Sequence, residues 1–138
     1  MATEVLVNDG GAPCRIIPII TSEAITAGDA CGLLETSSGN DAKVCQLEQS
    51  DDSATFIGVA LTDAASGAVC NVVTGRGVVV RINTDNVNGG VMLMPHASTG
   101  GLLIAYSQGT NAKGFDSTPC AITMENNSGA GLTKCMIL

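Results

Sequence analysis

Residues 56–82 read FIGVALTDAASGAVCNVVTGRGVVVRI. Three short apolar runs, Ile57–Leu61, Val69–Val73 and Val78–Ile82, are separated by small polar residues at 62–68 and by a Gly-bounded link at 74–77. β-branched residues dominate the runs, and Gly, Ser, Thr or Asp bounds them, which is the pattern of short strands. In IGVAL, Ile57, Val59 and Leu61 share one face while Gly58 and Ala60 share the other. Bulk on one side and almost nothing on the other predicts a close backbone approach at the small side. In VVVRI, Val78, Val80 and Ile82 form one face, and Arg81 marks the opposite face as the wet one. The link Thr74–Arg76 is short enough to predict that Val69–Val73 and Val78–Ile82 pair as a hairpin.

Outward from this stretch the same grammar continues. Further candidate strands are Ile16–Ile20, Ala30–Leu34, Lys43–Leu47, Val91–Met94, Leu102–Tyr106, Ala121–Met124 and Thr133–Leu138. No window carries a helical apolar stripe between capping residues. A short helix could fit only at Ser50–Thr55 or Thr84–Asn88, where Asp, Ser and Asn supply caps. The expected class is therefore all-β: a small barrel or sandwich of short strands, with at most one short helix. An extended N-terminal arm (1–13) precedes a single β domain (14–138).

The order of turns and strands also repeats. With an offset of 61 (89 − 28), Gly28 matches Gly89, Ser37 matches Ser98, Gly39 matches Gly100, Ala60 matches Ala121 and Thr62 matches Thr123. One inserted residue then aligns Ser66-Gly67-Ala68 with Ser128-Gly129-Ala130. An internal duplication with pseudo-repeats at 28–75 and 89–138 accounts for this, although any small β protein reuses turn chemistry.

Composition excludes several functions. Six Lys+Arg against thirteen Asp+Glu give a net charge of −7, which repels phosphate backbones and anionic membranes. Three aromatic residues, Phe56, Tyr106 and Phe115, leave little for base stacking or for stacking sugar rings. Phe56 and Phe115 are expected in the core. No apolar run reaches the roughly 18 residues of a membrane helix, and no secretory signal is visible at the start. Neither nucleic acid nor membrane is an expected partner. The six cysteines (14, 31, 45, 70, 120 and 135) lack metal-site spacing, and only one His is present. They read most simply as buried thiols, with disulfides as the alternative.

No catalytic constellation stands out. His96 follows Pro95 in LMPHASTGG without a recognisable nucleophile motif and reads as a loop residue. Asp51 and Asp52 are adjacent in a polar loop and would point apart in a strand. NTDNVNGG (83–90) lacks the spacing and closing Glu of a calcium loop, and Gly75-Arg76-Gly77 opens onto a strand rather than a helix. The expectation is no enzyme, no cofactor and no metal.

ITAGDACGLLE (25–35) followed by residues 56–82 resembles the small head-decoration, or capsid-cement, proteins of tailed bacteriophages. The resemblance lies in a Gly-Asp turn entering a strand, then GVAL-x-DA-x-x-G, a valine-rich strand and a Gly-bounded return, over about residues 14–83. It departs from the family's pattern at Ala68-Val69-Cys70, where acidic residues are expected. The resemblance implies a homotrimer on the outer surface of the head, made in the host cytoplasm, that bridges neighbouring major capsid protein subunits at three-fold or quasi-three-fold positions. The N-terminal stretch is then the expected clamp, with Val5, Leu6, Val7, Ile16, Ile17, Ile19 and Ile20 as the capsid-binding residues, because an extended arm can add a strand to a neighbour's sheet. Pro18 suits an edge strand better than a central one. Two alternatives stay open: a β-sandwich binding module (an adhesin or carbohydrate-recognition domain), and another phage or pilus structural subunit.

Overall fold

A computed structural model describes residues 4–7, 11–34, 41–47, 54–106 and 119–138. The Asp51–Asp52 pair, Phe115 and most of the candidate helix at 50–55 lie outside the described residues. The chain is all-β. Its strands are β1 (Arg15–Ile20), β2 (Ala30–Leu34), β3 (Lys43–Gln46), β4 (Ala54–Ala60), β5 (Val69–Thr74), β6 (Val79–Thr84), β7 (Met92–Pro95), β8 (Leu103–Ala105), β9 (Ala121–Thr123) and β10 (Gly131–Ile137). Each falls on a run expected from sequence, with ends moved by a few residues. The candidate helix at 84–88 is instead a loop that leaves β6 and is pinned by a bridge between Val87 and Asn127.

The strands form two five-stranded sheets. The first has the order β1-β5-β4-β2-β3, and the second closes into a barrel in the order β10-β6-β8-β7-β9. Adding five to each strand number of the first sheet gives the path β6-β10-β9-β7-β8, which is the second sheet read around its circumference. The closures correspond too. A parallel pair joins Thr84 to Leu103 in the barrel, and a parallel bridge joins Thr21 to Val44 in the first sheet. The bridge Ile25↔Ala64 has its counterpart in Val87↔Asn127. At the turns, the amide of Gly28 donates to Ala60 O and that of Ala60 to Asp29 O, as Gly90 donates to Thr123 O and Thr123 to Val91 O. Two units of one topology, β1–β5 and β6–β10, thus stand in tandem. Their pairing sets Thr84 opposite Thr21 in the repeat, an offset of 63 (84 − 21). The offset is 62 at the glycine turns (90 − 28) and 59 at Val44 and Leu103 (103 − 44), so insertions and deletions break the constant 61 of the sequence match.

The expected hairpin between Val69–Val73 and Val78–Ile82 does not form. β5 lies between β1 and β4, so both of its edges are already used. The link at 75–77 instead carries the chain into the second unit, where β6 pairs with β10.

Alternation along the strands builds two cores. Cys31, Val44, Ala60, Cys70 and Val72 fill the interior of the first unit, capped by Ile25 and Ala64. The opposite face of the same strands supplies Ala30, Val59 and Val73 to a larger core shared with the second unit, where Val80, Ile82, Leu93, Leu103, Cys135 and Ile137 sit. Phe56 packs at the margin of this shared core. β4 is therefore buried on both sides, and Gly58 shows why its small face is small. A Cβ there would run into the carbonyl oxygen of Val73 on the adjacent strand. Opposite it, the β2–β4 register shifts between Cys31 and Gly32, leaving Ile57 as the extra residue of a bulge. Gly58→Ala should cost about 3 kcal/mol of stability through this backbone clash. A urea-unfolding midpoint unchanged by the substitution would contradict the close approach.

Candidate interaction surface

The residues expected to bind a capsid fall into two groups. Val5, Leu6 and Val7 are docked on the chain's own barrel. Leu6 bridges Val80, the amide of Val7 donates to Val79 O, and Arg81 donates from its amide to Val5 O and from Nη1 to Glu4 O. Val5 enters the shared core. Arg81, expected on the wet face, is half-buried because it holds this segment. Glu4–Val7 thus covers the stretch of β6 edge that β8 does not reach.

The other group lies on β1, the terminal strand of the first sheet. Ile16, Ile17 and Ile20 are exposed, while Ile19 is half-buried against the first unit's interior. The edge can be oriented from its last residues. The amide of Thr21 donates to Ala68 O on the β5 side, whereas the amide of Ser22 donates to Val44 O on the opposite side. By alternation, Ile16, Pro18 and Ile20 turn their main-chain groups outward. The missing N–H of Pro18 therefore falls on the open edge, where it interrupts any added strand. This geometry favours contact through the side-chain face over strand addition.

On that face Ile16 (53% exposed) and Ile20 (49%) are joined by Val69 (57%), the cross-strand partner of Ile20. Val69 was not singled out from sequence, although the polar Asn71 two residues on marks the same exposed face. A second group of exposed apolar residues, Met92 and Met124, lies in the barrel unit. Met92 pairs with Ile122 across β7 and β9. Ile20 and Val69 thus form an exposed apolar pair on an otherwise acidic chain.

Where the units meet, the polar contacts centre on Asp29. This buried carboxylate accepts from the amide of Thr26 (2.9 Å) and from Gln46 Nε2 (2.8 Å) through Oδ2, and from Asn83 Nδ2 (2.8 Å) through Oδ1. Asn83 belongs to β6, so the last bond crosses between units. Beside it the amide of Asn83 donates to Gly28 O, and that of Ala30 to Gly101 O. Gly28 has φ +93°, and a Cβ on it would collide with the Leu132 side chain of β10. The Gly-Asp turn singled out in the sequence is thus the joint of the molecule.

Among the described residues, His96 and Asn126 each hold a turn. Nδ1 of His96 accepts from the amides of Ser98 (3.1 Å) and Thr99 (3.0 Å), closing its loop. Asn126 Oδ1 accepts from the Gly89 amide at 2.7 Å. Among the described residues, no group of three or more His, Cys, Asp or Glu side chains is placed to hold a metal ion. Five of the six cysteines are buried, and Cys14 is half-buried. Burial pushes the Cys120 thiol up to about 12, and burial followed by the nearby Glu125 carboxylate does the same for Cys135. Cys31 and Cys70 are also raised by burial, with the Asp29 carboxylate adding to both.

Compared with known proteins, the chain matches no family model and no curated protein. Among solved structures it is similar to the N base of head fiber gp8.5 in bacteriophage phi29, with a TM-score of 0.62 and 12% sequence identity, covering 91% of this chain and 95% of that one. The likeness is one of fold.

Two measurements follow from the joint and the thiols. Asp29→Ala leaves three donors without their acceptor and should cost roughly 3 kcal/mol; an unfolding free energy within about 0.5 kcal/mol of the parent would contradict the network. At pH 8, a thiol raised to about 12 is thiolate in only about one molecule in ten thousand. Because the other five are also buried, iodoacetamide should modify Cys14 first in the native protein and the rest only after unfolding. Rapid native labelling of a second cysteine, read by mass spectrometry, would overturn this.

Proposed function

We propose that this protein is a structural subunit of a tailed-phage head, bound as a homotrimer to the outer surface and bridging neighbouring major capsid protein subunits by contact rather than catalysis. The observation that carries the reading is the fold shared, over nearly the full length of both chains, with a protein whose name places it at the base of a head fiber. The sequence resemblance to head-decoration proteins points the same way from different residues, those around Gly28 and from Gly58 to Gly67.

The physical character of the surface supports this role. An acidic protein gains nothing from lying against packaged DNA, and an outer position avoids that repulsion. The outward apolar face of β1 offers area rather than reactive groups. A subunit assembly with three such faces engages several capsid proteins at once, so contacts of modest strength add through effective concentration. Binding only the expanded shell stabilises that shell by mass action.

The test is to mix purified protein with expanded and unexpanded capsids and sediment both. The protein should pellet with expanded shells, and the decorated shells should withstand higher temperature or denaturant than bare ones. Failure to co-sediment, or identical melting of decorated and bare shells, would count against the proposal.

A further inference from the structure

The joint between the two units has two unused halves, and they match each other. In the first unit the turn Gly28-Asp29-Ala30 is buried against the outer face of the second, at Asn83 and Leu132. The corresponding turn of the second unit is Gly90-Val91-Met92, made by the same pair of main-chain hydrogen bonds. Gly90 has φ +77°, close to that of Gly28, but a Cβ on it would meet no atom of the described residues within 4 Å. Met92, in the place of the buried Ala30, is exposed.

The receiving half is vacant in the same way. Asn83 and Leu132 are cross-strand partners on β6 and β10; their counterparts on β1 and β5 are the partners Ile20 and Val69. Asn83 and Leu132 are half-buried beneath the Gly28 turn, whereas Ile20 and Val69 are exposed. The chemistry changes together on both sides. Within the chain, a polar residue meets a polar one, Asp29 with Asn83. At the unused halves the corresponding residues are both apolar: Ile20, exposed, and Val91, half-buried against the shared core. The glycine is kept at Gly90, and an apolar residue is kept opposite it at Val69.

We infer that a second copy of this chain docks by repeating the internal joint, its Gly90–Met92 turn seated on the Ile20–Val69 face of the first. The contact is head-to-tail: each copy presents both halves, so successive copies close into a ring when the rotation permits. It accounts for four of the exposed large apolar residues, Ile20, Val69, Met92 and Met124, the last following β9 beside the same turn. The interior joint needs a buried polar network to fix one geometry; the joint between copies relies on apolar area, which forms after each chain has folded.

The inference rests on the reading of the protein as a homotrimeric head subunit; its test uses purified protein without capsids, so this joint can fail in the aspartate and crosslinking arms while capsid binding stands. Light scattering coupled to size exclusion should give a multiple of the 13.9 kDa chain mass. Val69→Asp and Met92→Asp should each reduce it to the monomer while leaving the circular dichroism spectrum and thermal unfolding of a folded β protein. In a Cys14→Ser background, Ile20→Cys combined with Val91→Cys should give chains linked end to end by a short bis-maleimide, and adding Val69→Asp should abolish the linking. A monomeric parent protein, an oligomer whose mass survives both aspartates, or a pair of engineered thiols that never links chains would overturn the inference.

Discussion

The molecule depends on one constraint: a turn that only glycine can make, pressed against a neighbouring barrel. At Gly28 the backbone is left-handed (φ +93°), and a Cβ would have to displace the end of the Leu132 side chain. The next residue, Asp29, is then buried with its carboxylate satisfied by Thr26, Gln46 and Asn83. A buried carboxylate is costly unless every lone pair finds a donor, and a set of donors this specific permits few relative placements of the two units. The shared core of Ala30, Val59 and Val73 against Val80, Ile82 and Leu103 supplies the apolar burial beneath it. Area holds the units together, and the polar network selects how they sit.

Compact side chains serve the same packing. Small residues on two-sided strands, such as Gly58, Ala60 and Cys70, let strands pack on both faces within a short sequence. Cysteines serve here as compact apolar residues whose burial suppresses the thiolate. Among the described residues, the exposed large apolar side chains lie on β1 and at Val69 in the first unit, and at Met92, Met124 and Leu138 in the second. In the proposed role of seam cover on a phage head, the geometry of these repeated surfaces would carry the binding.

Much of the fold was legible because strand signals here are local. Alternation around Val78–Ile82 and Gly-bounded runs elsewhere placed all ten strands. Pairing was not legible to the same degree. The short link at 74–77 looked like a hairpin, but which edges of β5 were still open depended on β1 and β4, which lie far away in sequence. The repeat was visible in turn letters, yet its register was set by strand pairing, which Gly and Ala identities cannot resolve. At the interaction surface, the apolar run Ile16–Ile20 was recognisable from composition. Val5–Val7 looked equally available, since nothing local to those residues reveals that the upper edge of β6 needs a cover. Val69 became visible only once its pairing with Ile20 put two exposed apolar side chains side by side.

The central claim is that one kind of joint is used twice, once inside the chain and once between copies on a phage head. A cryo-electron reconstruction of expanded heads carrying the protein tests it directly. The account predicts protrusions on the outside of the shell in which the Gly90–Met92 turn of one copy covers Ile20 and Val69 of the next. Isolated copies with those two residues open to solvent, or density confined to the interior of the head, would contradict it.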